Sequence, residues 1–117
     1  MIARLLALGL LLGCSAIAEA KTLKCSWSQK QQCAPGQACR SAPLDLYAKI
    51  DLQKRKYKRC DRRGCDTYDA VVQVDRAAFT NIDLPGLGLF VKIGPDQRAT
   101  EVVSFGNVIM VSQGWCR

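Results

Sequence analysis

The sequence contains no histidine, and no two of its cysteines are spaced as Cys-x-x-Cys. Without histidine, a serine or threonine nucleophile lacks its usual general base. The same absences disfavour a zinc site, a thioredoxin-like redox pair and a c-type haem site. We therefore expect no metal, no cofactor and no catalytic residue in this protein.

Acidic residues are also few, and Glu101 is the only glutamate after residue 20. Two aspartate pairs, Asp61 with Asp66 and Asp66 with Asp69, could supply the two carboxylates that some hydrolases use. Both pairs flank a short turn among arginines, which favours turn formation and salt bridges over catalysis. A small hydrolase is therefore the weakest of three functional hypotheses.

Long apolar runs are confined to the N-terminus, where residues 5–12 follow Arg4. The motif Ala-Glu-Ala at 18–20 is typical of a signal peptidase site, so the pattern predicts a signal peptide over residues 1–20. The apolar run is shorter than the roughly 20 residues of a membrane-spanning helix. We expect an exported mature chain, residues 21–117, with a single domain and no transmembrane span.

An alternative interpretation of the leader places the cut before Cys14. The sequence Leu-Leu-Gly-Cys at 11–14 resembles a lipoprotein box, and lipidation of Cys14 would make the protein an outer-membrane lipoprotein. Both interpretations predict export, to the periplasm or beyond it.

Six cysteines remain besides Cys14, which in an oxidising compartment indicates three disulfide bonds. Sequence alone permits many pairings, but local geometry favours one set. Cys60 and Cys65 enclose Asp-Arg-Arg-Gly, and Cys33 and Cys39 enclose a Pro-Gly turn, so each pair can face across a hairpin. The remaining predicted bond joins Cys25 to Cys116.

Short segments of alternating polarity, separated by turn sequences, predict an all-β protein. The expected fold is an antiparallel meander of about eight strands, forming a closed or nearly closed β-barrel or a β-sandwich. One face of segment 44–53 is apolar from Leu44 to Leu52, and segment 68–74 should point Tyr68 and Val74 inward. The other predicted strands are 22–27, the basic arm ending at Cys60, 79–84, 88–93, 99–105 and 108–112, with a loop at 28–43.

The strongest charge signal is the basic arm, residues 54–63, which carries seven basic side chains and one acid. We expect Tyr57 to anchor it and the arm to project from the body or edge the sheet. Its functional interpretation is an anion-binding patch; the alternative is a solvated edge strand that resists association. The predicted anion-binding residues are Lys54, Arg55, Lys56, Lys58, Arg59, Arg62 and Arg63.

The formal net charge of +7 points to anionic partners. In an envelope these are lipopolysaccharide, anionic lipid and acidic polysaccharide. Export and a single tyrosine in the arm argue against nucleic acid. We expect a monomeric, non-catalytic protein associated with the envelope, with Trp27 and Trp115 packed against the bond between Cys25 and Cys116.

Residues 57–68, 100–105 and 111–116 resemble small cysteine-rich exported proteins of alphaproteobacteria, a resemblance that implies export but no activity. The predicted architecture is also similar to periplasmic inhibitors of c-type lysozyme, which implies a second hypothesis, a protein inhibitor of a cell-wall-active hydrolase. Its contacts would lie in loops at 85–94 or after Ser112. The Ser-Gly-x-x-Tyr loop of those inhibitors does not appear at 112–115, and a cationic target would repel this chain.

Overall fold

The computed structural model of the protein describes residues 22–117 as ten β-strands and one 3₁₀ turn. The predicted signal peptide and Cys14 lie outside the described residues. Within residues 22–117, no helix has the length and apolarity that a membrane crossing requires. The elements are β1 (Thr22–Cys33), β2 (Arg40–Ser41), β3 (Tyr47–Asp51), β4 (Lys56–Asp61), β5 (Gly64–Asp69), β6 (Val71–Val74), β7 (Thr80–Leu84), the 3₁₀ turn (Pro85–Leu87), β8 (Leu89–Ile93), β9 (Arg98–Phe105) and β10 (Val108–Cys116).

Nine strands form one antiparallel, nearly closed barrel in the order β5-β4-β3-β1-β10-β9-β8-β7-β6, and β2 pairs with β1 beside this path. The two end strands of this order, β5 and β6, are consecutive in the chain and are joined through Ala70. The N–H of Ala70 donates to the carbonyl of Arg55 at 3.0 Å. The predicted all-β meander is confirmed, as a barrel.

The core follows from the alternation of side chains along each strand, because successive residues point to opposite faces of a sheet. The side chains of four residues on four strands are almost fully buried: Ile50, Ile82, Val91 and Val103. The residues directly before and after each of them are more exposed. Burial of such side chains contributes about 1.5 to 3 kcal/mol each. The barrel interior is therefore the hydrophobic core.

Three disulfide bonds join the predicted pairs. Cys33 with Cys39 and Cys60 with Cys65 are the pairs that the turn sequences favoured, and Cys25 with Cys116 is the pair that remained. The turn before Cys65 also has the expected form. Gly64 adopts a φ of 144°, and the Asp61 carboxylate accepts hydrogen bonds from the N–H groups of Arg63 and Gly64.

The segment predicted as a loop at 28–43 is instead largely strand. β1 continues to Cys33, and residues 29–33 pair with β10. A register shift between Trp27 and Gln29 interrupts the pairing, and there Gly114 lies against the backbone of Ser26 and Trp27. This part of β1 is mostly solvent-exposed and polar, so it lacks the alternation that would have predicted a strand.

Two predicted strands were also placed too broadly. The strand predicted at 68–74 is broken at Ala70, and Val74 is 68% exposed because it lies at the end strand β6. The strand predicted at 44–53 is regular only over Tyr47–Asp51, and Leu44 is 51% exposed. Leu44 therefore does not reach the core, whereas Leu52, just beyond β3, packs against it.

Candidate anion-binding face

The basic arm was predicted to project from the body or to edge the sheet, but its strand does neither. Its strand, β4, lies between β3 and β5, so one of its faces must pack inside. Tyr57 is fully buried, as expected. Arg59 also turns inward, and its side chain is only 18% exposed beside Glu101.

The other predicted anion-binding residues lie in three places, all solvent-exposed. Lys54 and Arg55 occupy the turn between β3 and β4, where the N–H of Lys54 donates to the Asp51 carboxylate at 2.8 Å. Lys56 and Lys58 point outward from β4, and Lys56 pairs with Asp69. Arg62 and Arg63 form the turn at the opposite end of β4. The arm is therefore not one continuous basic surface.

Strand pairing instead assembles a basic row from three strands and the residue that follows β10. On the outer face, Lys24 of β1 lies opposite Lys49 of β3, and Lys49 lies opposite Lys58 of β4. On the other side of β1, Lys24 exchanges two backbone hydrogen bonds with Arg117, of 2.8 and 2.9 Å. We call Arg117, Lys24, Lys49 and Lys58 the basic row; it spans about 14 Å across the strands.

The basic row is electrostatically unfavourable by itself. Like charges directly opposite each other on one face of a sheet destabilise it. Three ion pairs occur within residues 22–117, and none includes a member of the basic row. An anion bound along the row would remove this repulsion.

Two shallow surface grooves contain the members of the row. The first, of about 490 Å³, is lined by Lys24, Ser26, Trp115 and Arg117. The second, of about 260 Å³, lies beside Lys49 and Lys58 and also includes Lys54, Lys56, Thr22 and Asp51. Both grooves can therefore present several ammonium or guanidinium groups to one ligand.

Two aromatic side chains border the row. The ammonium groups of Lys24 and Lys49 lie 5.0 and 5.9 Å from the centroid of the Tyr47 ring. The guanidinium groups of Arg98 and Arg117 lie 5.4 and 5.8 Å from Trp115. These distances permit cation–π contacts, which hold the cationic side chains against the barrel.

Both tryptophans were predicted to pack against the bond between Cys25 and Cys116. Trp27 is partly buried and packs against the core. Trp115 is 39% exposed, since it points to the outer face whereas its neighbour Cys116 points inward. Trp115 is therefore a surface residue beside the basic row.

Sequence reasoning missed three of the four members of the row: Lys24, Lys49 and Arg117. One signal was present, because Lys49 stands between the buried residues Ala48 and Ile50 and so had to point outward. Lys24 and Arg117 lie beside Lys49 only because β1 lies between β3 and β10. A pairing between residues so far apart in the chain leaves no local pattern in the sequence.

The first prediction concerns the repulsion within the row. Lys49→Gln removes the charge that faces both Lys24 and Lys58, so it should raise the free energy of unfolding by about 0.5 to 1 kcal/mol at low salt. The gain should largely disappear at about 1 M salt, where screening acts over roughly 3 Å. Urea unfolding of both proteins at the two salt concentrations measures it.

Lys56→Gln is the matched control, because Lys56 lies on the same outer face of the sheet, on the neighbouring strand β4, but pairs with Asp69. It should leave stability unchanged or lower it slightly. A Lys49→Gln variant no more stable than wild type at low salt would show that the row is not under repulsion.

A second ionisable cluster lies inside the barrel. The Tyr57 hydroxyl donates to Glu101 Oε2, and Arg59 Nη2 lies 3.4 Å from Glu101 Oε1. Glu101 is 2% exposed. Its buried carboxylate therefore connects β9 to the Tyr57 and Arg59 side chains of β4. Within residues 22–117, no group of three or more cysteine or acidic side chains is placed to hold a metal ion.

The second prediction is a loss of stability at alkaline pH. Burial raises the pKa of Tyr57 above its ordinary value, and the nearby Glu101 carboxylate adds to the effect. Above pH ~10 the unfolded chain releases this proton while the folded protein keeps it. The free energy of unfolding should therefore fall by up to about 1.4 kcal/mol per pH unit from this group.

Tyr57→Phe provides the control for this slope, because it lacks the titrating hydroxyl and keeps the ring. The difference in stability between wild type and Tyr57→Phe, measured by urea unfolding from pH 8 to 11, should be constant below pH ~10 and shrink above it. A difference that stays constant throughout would contradict the assignment.

No family model, curated protein or solved structure matches this chain. The functional interpretation therefore depends on the geometry described above.

Proposed function

We propose that this protein is an exported, non-catalytic binding protein that holds an anionic component of the bacterial envelope on the basic row. The observation that carries the proposal is the pairing of Arg117, Lys24, Lys49 and Lys58 directly opposite one another without an acid among them. Repulsion within such a row lowers the stability of the folded protein, and a bound anion would remove that repulsion.

The charge of the whole chain supports the same proposal. A net charge of +7 raises the rate at which anionic partners are encountered. Phosphates of lipopolysaccharide, anionic lipid head groups and acidic polysaccharides all present oxyanions at close spacing. Lys54 and Lys58, which the sequence singled out, line the second groove and would contact the same ligand.

The third prediction tests this proposal by retention on immobilised lipopolysaccharide, on immobilised acidic polysaccharide and on anionic vesicles. The variant Lys24→Gln, Lys49→Gln, Lys58→Gln and Arg117→Gln should bind at least about tenfold more weakly, since each cation near an anionic surface contributes about 1 kcal/mol. Wild-type binding should fall steeply with salt.

The matched control changes four exposed arginines outside the row to glutamine, with the same loss of net charge: Arg40, Arg62, Arg63 and Arg76. This variant should keep most of the wild-type retention. Equal losses in the two variants would mean that net charge, and not the row, governs binding, and would contradict the proposal.

A second candidate function, an inhibitor of a cell-wall-active hydrolase, is favoured by a different surface. A groove of about 440 Å³ beside β8 and β9 is lined by Phe79, Phe90 and Val102 among others, and Phe90 is 40% exposed. Salt does not weaken apolar contacts of this kind. This function would be favoured if the protein captured one specific enzyme in high salt, and if the fourfold glutamine variant of the basic row captured it equally well.

A further inference from the structure

The residues beside the basic row point to one class among the anionic ligands. Trp115 of β10 lies opposite Ser26 of β1, and Ser26 lies opposite Tyr47 of β3. The three residues form a second row on the same outer face, next to the basic row. One small side chain thus separates two aromatic residues, whose backbones lie about 10 Å apart at two strand spacings.

The small residue between the rings keeps the space between them open. Ser26 lines the groove of about 490 Å³ together with Lys24, Trp115 and Arg117. Trp115 therefore borders a shallow groove together with two cations of the basic row, and Tyr47 lies beyond Ser26 on β3.

This arrangement fits a chain of sugar rings that carry acidic groups. The apolar faces of pyranose rings stack on aromatic side chains, and both aromatics here are accessible in part. Four cationic groups lie 5.0 to 5.9 Å from the two ring centroids. A sugar stacked on either ring would place its carboxylate, sulfate or phosphate within reach of a cation.

A lipid surface fits the same residues less well. A membrane-binding surface needs apolar side chains that extend beyond the cations into the bilayer, as in interfacial anchors. Here both aromatics lie beside cations that contact their rings. Trp115 also lines a groove, which a linear polymer can enter more readily than a flat bilayer can.

We propose that the ligand of the basic row is an acidic polysaccharide, which lies across β10, β1 and β3 with two of its sugars stacked on Trp115 and Tyr47. This inference rests on the proposed function and narrows it. Trp115 and Tyr47 determine the ligand class, whereas the basic row supplies the attraction.

The test measures the affinity of wild-type protein for oligogalacturonate by calorimetry and its retention on phosphatidylglycerol vesicles. Trp115→Ala and Tyr47→Ala should each weaken oligogalacturonate binding by about fivefold and leave vesicle retention nearly unchanged. Phe90→Ala is the matched control, because Phe90 is equally exposed on the outer face of β8; it should bind oligogalacturonate like wild type.

The fluorescence of the wild-type protein provides a readout that needs no variant. Trp27 packs against the core, so a change in emission on adding oligogalacturonate should come from Trp115 and should be lost in Trp115→Phe. An unchanged spectrum at saturating oligogalacturonate would contradict stacking on Trp115.

The outcomes separate this inference from the proposed function. Wild-type affinity in both alanine variants, with binding still lost in the variant of the basic row, would overturn the inference and leave the proposed function standing. Retention on vesicles without oligogalacturonate binding would also overturn the inference and leave the proposed function standing, with an anionic lipid as the ligand. Equal binding by wild type and the variant of the basic row would overturn both.

Discussion

Replacing Cys25 and Cys116 together with alanine should lower the free energy of unfolding by about 4 to 5 kcal/mol, because a long loop then regains its freedom in the unfolded chain. The bond joins residues separated by 91 positions and holds β1 against β10. Urea unfolding of the oxidised proteins measures the loss. For a domain of this size, such a loss approaches the whole stability.

The bond between Cys33 and Cys39 is the matched control, because it closes a separation of only 6 positions. Replacing this pair should cost about 2 kcal/mol in the same chain-entropy model. Equal losses in the two double variants would contradict the account of loop length.

The Cys25–Cys116 bond also positions half of the candidate site. Lys24 and Arg117 are the chain neighbours of the bonded cysteines, and their backbone hydrogen bonds continue the same pairing of β1 with β10. Trp115 precedes Cys116. Anion binding should therefore weaken together with stability when the bond is removed, and more than in the Cys33 and Cys39 variant.

The second large effect is expected at Glu101. Glu101→Leu leaves the Tyr57 hydroxyl buried without its acceptor and leaves Arg59 without its carboxylate. Removing one partner of a buried ion pair costs about 3 to 5 kcal/mol. Since the Arg59 side chain is 18% exposed, we expect a loss of about 3 kcal/mol in urea unfolding, at the lower end of this range.

Two further variants separate the causes at Glu101. Tyr57→Phe keeps the pair of Glu101 with Arg59 and should cost only about 1 to 3 kcal/mol. Adding Arg59→Met to Glu101→Leu removes the unpaired guanidinium and should restore part of the stability. A double variant as unstable as the sum of its single changes would contradict the coupling.

Local sequence patterns predicted the fold class, most of the strands and the disulfide pairs of this protein, but not the second half of β1. Alternation and turn residues predicted the antiparallel strands, and Asp61 with Gly64 marked the hairpin that the Cys60–Cys65 bond closes. The inward orientation of Tyr57 followed from the same alternation. Each of these features is determined by residues close together in the chain.

The candidate site depends on long-range pairing and was only partly predicted. The density of charge at 54–63 pointed to β4, but Arg59 belongs to the interior because of Glu101, which lies 42 positions away. Lys24 and Arg117 meet Lys49 and Lys58 only because β1 lies between β3 and β10. No spacing within the sequence predicts that register.

The most direct test of the central claim is an NMR titration of the ¹⁵N-labelled protein with an acidic oligosaccharide. If the basic row is the binding surface, the largest amide shift changes should fall at Lys24, Lys49, Lys58 and Arg117, and they should diminish as salt is added. Changes confined to the Arg62 and Arg63 turn or to the Phe90 groove, with the row unaffected, would contradict the account.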